Sequence, residues 1–270
     1  MGRSTSAFAN GPSIESMPMP RGEHVPSERR PDHRLTLAIY VVIALLSMAA
    51  FWPLIESQRL ANSGSAAAER GDYAAAIEAW TPLAEAGDVD AQFSLGVLLD
   101  RGLGAAKDPV AAAAWYRLAA EQGSEAAQVN LGLMYILGRG VDMDAAAAAE
   151  WFQRAAAANV PQGLANLGHL YRIGRGVERD PARGYALLRR AALFGNLTAA
   201  LGVAEMLAAG EGVEADPIEA LAWVEYTART EGPEARRAGQ LVDSLAAEVD
   251  ASGRREATAM AGQLERQLRR

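Results

Sequence analysis

A pair of glycines one residue apart recurs along the chain, at Gly102 and Gly104, Gly138 and Gly140, Gly174 and Gly176, and Gly210 and Gly212, each time 36 residues on. A fixed period of this length constrains the fold more than any single motif, because it belongs to arrays in which one supersecondary unit stacks on copies of itself. An aspartate follows in step (Asp72, Asp108, Asp144, Asp180, Asp216), and Pro109, Pro181 and Pro217 come directly after three of them. Aspartate then proline reads as a helix N-cap and a first-turn residue whose missing N–H is no loss. Glycine, free to take positive φ, stops the helix before it. Each unit is therefore two short helices. Helix A, as in residues 125–137, ends at the glycines; helix B runs from the aspartate to Gly123, Asn159 or Gly195. A phosphate-cradling loop would need a preceding strand and a third glycine, and neither is present, so the eight glycines are structural turns.

Other positions keep the same step. Leu95-Gly96, Leu131-Gly132 and Leu167-Gly168 lie inside helix A, with Val203-Ala204 in the last copy. Glycine costs up to about 1 kcal/mol in a helix interior, so its return implies that another backbone passes close by. Helix B carries Trp80, Trp115, Trp151 and Trp223, then Ala119-Ala120, Ala155-Ala156 and Ala191-Ala192, which we read as core.

The segment "AAQVNLGLMYILGRGVDMDAAAAAEWFQRAAAANV" resembles a Sel-one-like repeat, a relative of the tetratricopeptide repeat. The resemblance covers four units from about Asp90 to Thr230 and a preceding half unit, "GDYAAAIEAWTPLAEAGD". It implies an all-α fold, an α-solenoid of helix-turn-helix repeats wound as a superhelix, over 66–232. Some cysteine-rich members of the family are associated with β-lactam chemistry, but the disulfide framework that goes with it is missing here, since the chain has no cysteine.

Ahead of the array, residues 1–34 hold five prolines among polar residues and read as a disordered segment. Leu35 to Ile55, "LTLAIYVVIALLSMAAFWPLI", contains no charge and is long enough for a transmembrane helix. Arg21, Arg29, Arg30 and Arg34 precede it and only Arg59 and Arg70 follow closely, which puts the N-terminus in the cytoplasm and the repeats outside it, in the periplasm or beyond. Ser47 and Ala49 leave signal cleavage as the rival reading. Residues 56–65, "ESQRLANSGS", read as a polar linker. Residues 233–270 leave the period but keep two apolar stripes, Ala235 to Val249 and Ala257 to Leu268, broken near Ser252-Gly253, and read as capping helices.

A net charge of −7 and pI near 5.1 argue against nucleic acid as a partner. His169 is the one histidine beyond the leader, so no zinc or triad constellation is recognisable, and neither a metal nor a cofactor is expected. Paired acids such as Asp142 with Asp144, or Glu211 with Glu214, belong to turns. The expected role is non-catalytic binding of a protein or peptide, with membrane contact through 35–55. By analogy with tetratricopeptide arrays, helix A lines a concave face, where positions i, i+3, i+7 and i+10 meet the ligand. These include Phe93, Val97, Asp100, Val129, Leu133, Ile136, His169, Arg172, Leu201 and Glu205, which vary from copy to copy as a tailored groove would. An envelope hydrolase, a peptidoglycan-binding module and a secreted, cleaved repeat protein are the alternatives.

Overall fold

The computed structural model describes residues 54–268, which hold twelve α-helices and no strand. They are α1 (54–69), α2 (Tyr73–Glu85), α3 (Val89–Arg101), α4 (Pro109–Glu121), α5 (Glu125–Leu137) and α6 (Ala145–Ala157), then α7 (Pro161–Ile173), α8 (Pro181–Leu193), α9 (Leu197–Ala209), α10 (Pro217–Ala228), α11 (Pro233–Glu248) and α12 (Ala251–Leu268). Through α10 each helix packs on the one before and the one after it, the pattern of an α-solenoid whose stability sums unit by unit.

The sequence signals act as expected at the helix ends. Asp72, Asp108, Asp144, Asp180 and Asp216 each accept a backbone N–H of the first turn of α2, α4, α6, α8 and α10. Each such cap contributes about 1 kcal/mol. Gly102, Gly138, Gly174 and Gly210 close α3, α5, α7 and α9 at φ between 62° and 72°.

The second glycine of each pair does more than turn the chain. A Cβ at Gly140 would lie 2.0 Å from the Pro109 carbonyl oxygen, and one at Gly176 would lie 2.2 Å from that of Ala145. Gly104 meets the backbone of Tyr73 and Gly212 that of Pro181 in the same way. Every second glycine thus seats its loop on the first residue of the preceding helix B.

The mid-helix glycines have a different cause from the one the sequence suggested. A Cβ at Gly96 would meet the Tyr116 ring at 2.7 Å, and one at Gly132 the Phe152 ring at 2.5 Å. The neighbour is an aromatic side chain of the same unit's helix B, not a backbone. Backbone approaches closely only in the third unit, where Leu188 replaces the ring and the Gly184 carbonyl lies 3.0 Å from a Cβ at Gly168. In the fourth, Ala204 faces the same core as the smaller Val224, both buried. Trp80 stands one residue out of step with Trp115, and its indole covers Gly64.

Three boundaries need correction. Residues 56–65 are not a linker but part of α1, because Leu60, Ala61, Ala67 and Ala68 make an apolar stripe that packs on α2. The half unit is therefore a full helix pair. At the other end α11 begins at Pro233, one period after Leu197, so the array continues in register past the recognisable motif. The break between the capping helices falls at Val249 and Asp250; Gly253 is buried inside α12, against Val249 and Ile218. Both α11 and α12 pack on α10 and bury Ala238, Leu245, Ala257 and Ala261 there, closing the apolar edge of the last repeat. The expected span 35–55 lies outside the described residues except for Leu54 and Ile55. Among the described residues no helix is long and apolar enough to cross a membrane.

Candidate partner-binding face

The A helices α3, α5, α7, α9 and α11 lie side by side, bridged by bonds that repeat in register. The middle residue of the last three Gly-x-Gly turns reaches back to the last turn of the previous helix A. Arg139 Nη2 donates to Asp100 Oδ2 at 2.9 Å, Arg175 Nη2 donates to the Ile136 carbonyl at 3.0 Å, and Arg172 Nε donates to Glu211 Oε2 at 2.7 Å. The same stagger of 39 residues is used three times, with the charge reversed in the last.

Of the expected face, the ninth and twelfth helix positions form the half-open surface: Val97 and Asp100, Leu133 and Ile136, His169 and Arg172, then Glu205. Phe93 joins them, its ring 5.9 Å from that of Tyr116. Val129 and Leu201 do not. They are 7% and 1% exposed, because the fifth position of α5 and α9 turns into the seam with neighbouring helices. Leu201 shares a core with Ala238 of α11 and presents nothing to a ligand.

The face has two halves. On α3 and α5 it is mainly apolar: Phe93 and Val97 pack on the core that holds the buried Tyr116, Leu133 and Ile136 on the core that begins at α6, and Asp100 is paired with Arg139. Burial and then the charge of Asp100 push the Tyr116 phenol up to about 12, so it stays a neutral hydroxyl. From α7 onward the face is an ion network. Arg172 also donates to Glu205 at 3.0 Å, Arg179 to Glu211 at 2.9 Å, and Arg237 of α11 to Glu205 at 2.5 Å. The Arg172 hydrogen bond holds the Glu211 carboxyl below its ordinary value. His169 is pulled below its usual value by burial and then by Arg172, and is neutral at pH 7. Where helix B meets the next helix A, Glu85, Asp88, Asp90, Glu121 and Glu125 are exposed, with no ion pair among the described residues.

Glu211 is thus committed to two arginines and Asp144 to capping α6. Among the described residues no three His, Asp or Glu side chains gather where they could hold a metal ion. Arg139, Arg175 and Arg237 belong to this face but were not foreseen. Only a search for paired residues across adjacent units, rather than shared residue types, would have found them.

A family model for the Sel1 repeat matches residues 89–124, 125–160, 161–195 and 198–229. The chain is similar to the crystal structure of c5321, a protective antigen present in uropathogenic Escherichia coli strains displaying an SLR fold, with 28% identity and a TM-score of 0.72 over 78% of this chain and 46% of that one. It therefore spans less than half the length of that protein. A Sel1 repeat protein from Oxalobacter formigenes is 27% identical, with a TM-score of 0.60 over 71% of this chain and 86% of that one. No curated protein matches the chain. The period, the helix pairs and the matched model agree: the chain belongs to the Sel1 repeat family, whose fold is used for protein–protein interaction.

Proposed function

We propose that this protein is a membrane-anchored, non-catalytic interaction protein that holds a partner on the apolar half of its A-helix face. The observation that carries this reading is the division of that face. Phe93, Val97, Leu133 and Ile136 are half-open apolar side chains on adjacent helices, and covering them removes apolar area from water at about 25 cal/mol per Å². The ionic half gains less from being covered, since its charges already satisfy one another and would lose water. The exposed acids at the starts of α3 and α5 favour a partner segment that is apolar with cationic residues at one end. Residues 35–55 supply the anchor in this reading, with the N-terminus in the cytoplasm and the repeats in the envelope.

A photo-crosslinking side chain at position 97 or 133, compared with one at Arg154 on helix B, tests the binding surface. One discrete protein joined from 97 and 133 but not from 154 is the expected result; equal labelling from all three would refute it. A reporter fused after Arg270 reads the topology, and the mass of the mature chain separates an anchor from a cleaved leader.

A further inference from the structure

The turn between the second and third repeats is built differently from its counterparts. Gly87, Gly123 and Gly195 make the turns before α3, α5 and α9, with φ of 97°, 97° and 83°, and the turn before α11, past the last matched repeat, ends on Gly232 at φ 110° without a side-chain cap. Before α7 the position is Asn159, at φ 63° the one non-glycine residue of positive φ among the described residues. Its side chain is held by Arg190. Asp88, Ser124 and Asn196 cap α3, α5 and α9 through their side chains, whereas Val160, at the same place before α7, has no oxygen to offer. Pro161 removes one of the N–H groups left over but not the rest.

A third difference lies in the packed interior. Gln92 Nε2 donates to the Ala84 carbonyl at 3.0 Å, and its Oε1 accepts from Gln122 Nε2 at 2.8 Å. Gln128 repeats this one unit later and donates to the Ala120 carbonyl at 3.3 Å. The residue one period after Gln122 is Ala158, so the buried Gln128 Oε1 finds no protein partner. A buried acceptor stranded in this way is costly.

We infer that the array opens and bends first at residues 158–160, the joint between its second and third repeats. In a solenoid each interface contributes separately, so the one with the fewest local stabilisers sets where sub-global opening begins. The joint also lies between the apolar A helices α3 and α5 and the ionic A helices α7 and α9. Bending there changes the angle of one half to the other while the ion network stays intact. This holds whether or not the apolar half binds a partner.

Hydrogen exchange on the full chain, corrected for intrinsic rates, tests it. Amides of 158–164 should exchange at least about tenfold faster than those of 86–92, 122–128 and 194–200, with tenfold corresponding to about 1.4 kcal/mol of opening free energy. The double variant Val160→Ser with Ala158→Gln supplies the missing cap and the missing amide and should slow 158–164 about tenfold while leaving the other turns unchanged. As a converse, Ser124→Val with Gln122→Ala should speed exchange at 122–128. Equal rates at all four turns in the natural chain, or a repaired joint that exchanges as before, would overturn the inference.

Discussion

The apolar half of the A-helix face and its ionic half are built on one frame and filled with opposite chemistry. Val97 and Leu133 occupy the same helical position as His169 and Glu205, and Ile136 the same as Arg172. The glycine stops, aspartate caps and loop-on-helix seating below are shared. What differs is how much each half has left to offer. Arg172, Glu205, Glu211 and Arg237 are tied to one another across three A helices, so this half fixes the register of the stack. The apolar residues are tied to nothing outside their own cores, so that half gains from a cover. In one array, a surface that fixes register and an open apolar surface are thus separated by content alone.

The largest effect should come from attacking the shared frame. Gly140→Ala under the apolar half and Gly212→Ala under the ionic half each force a methyl group into the backbone of the preceding helix B at positive φ. Each should cost about 3 kcal/mol or more in urea unfolding. A cost confined to one half would break the idea of a common frame. Next, Gly132→Ala presses on the Phe152 ring and should cost about 1–3 kcal/mol. Adding Phe152→Val, which copies the Ala204 and Val224 arrangement, should recover part of it.

Charge removal sharpens the contrast between the halves. Arg172→Ala leaves Glu205 to Arg237 alone and Glu211 to Arg179 alone and should cost about 1–2 kcal/mol, less at high salt. Leu133→Ser, half-open on the apolar half, should cost less stability than that yet weaken partner binding. The smallest effect is in pH. His169 sits below its unfolded value, so the unfolded chain binds the proton more readily and stability falls as pH drops below about 6.5. His169→Gln should flatten that slope in thermal melts between pH 5 and 7. No change at all would mean that His169 is ordinary in the fold.

Much of this architecture was legible because local chemistry repeats: an aspartate cap or a left-handed glycine performs the same task in every copy. What escaped was tertiary. The stretch containing Ser57, Asn62 and Gly64 has linker composition, yet it is helical because Gly64 lets the Trp80 indole lie on it. The Gly-x-Gly bridges were hidden because Arg139 and Glu211 carry opposite charges at the same place. Leu201 was expected on the open face by spacing alone, and only the packing of α11 on α9, in register beyond the last motif, shows why it is core. Of the span 35–55 only Leu54 and Ile55, the start of α1, are among the described residues, and the anchor is a proposal.

The most direct test is the affinity of the crosslinked partner for two variants of the full chain, Leu133→Asp on the apolar half and the pair Glu205→Gln with Arg237→Gln on the ionic half. The division of the face predicts at least about a tenfold loss for the first, near 1.4 kcal/mol, and less than about twofold for the second. The reverse order, with binding lost on the ionic half and kept in Leu133→Asp, would contradict it.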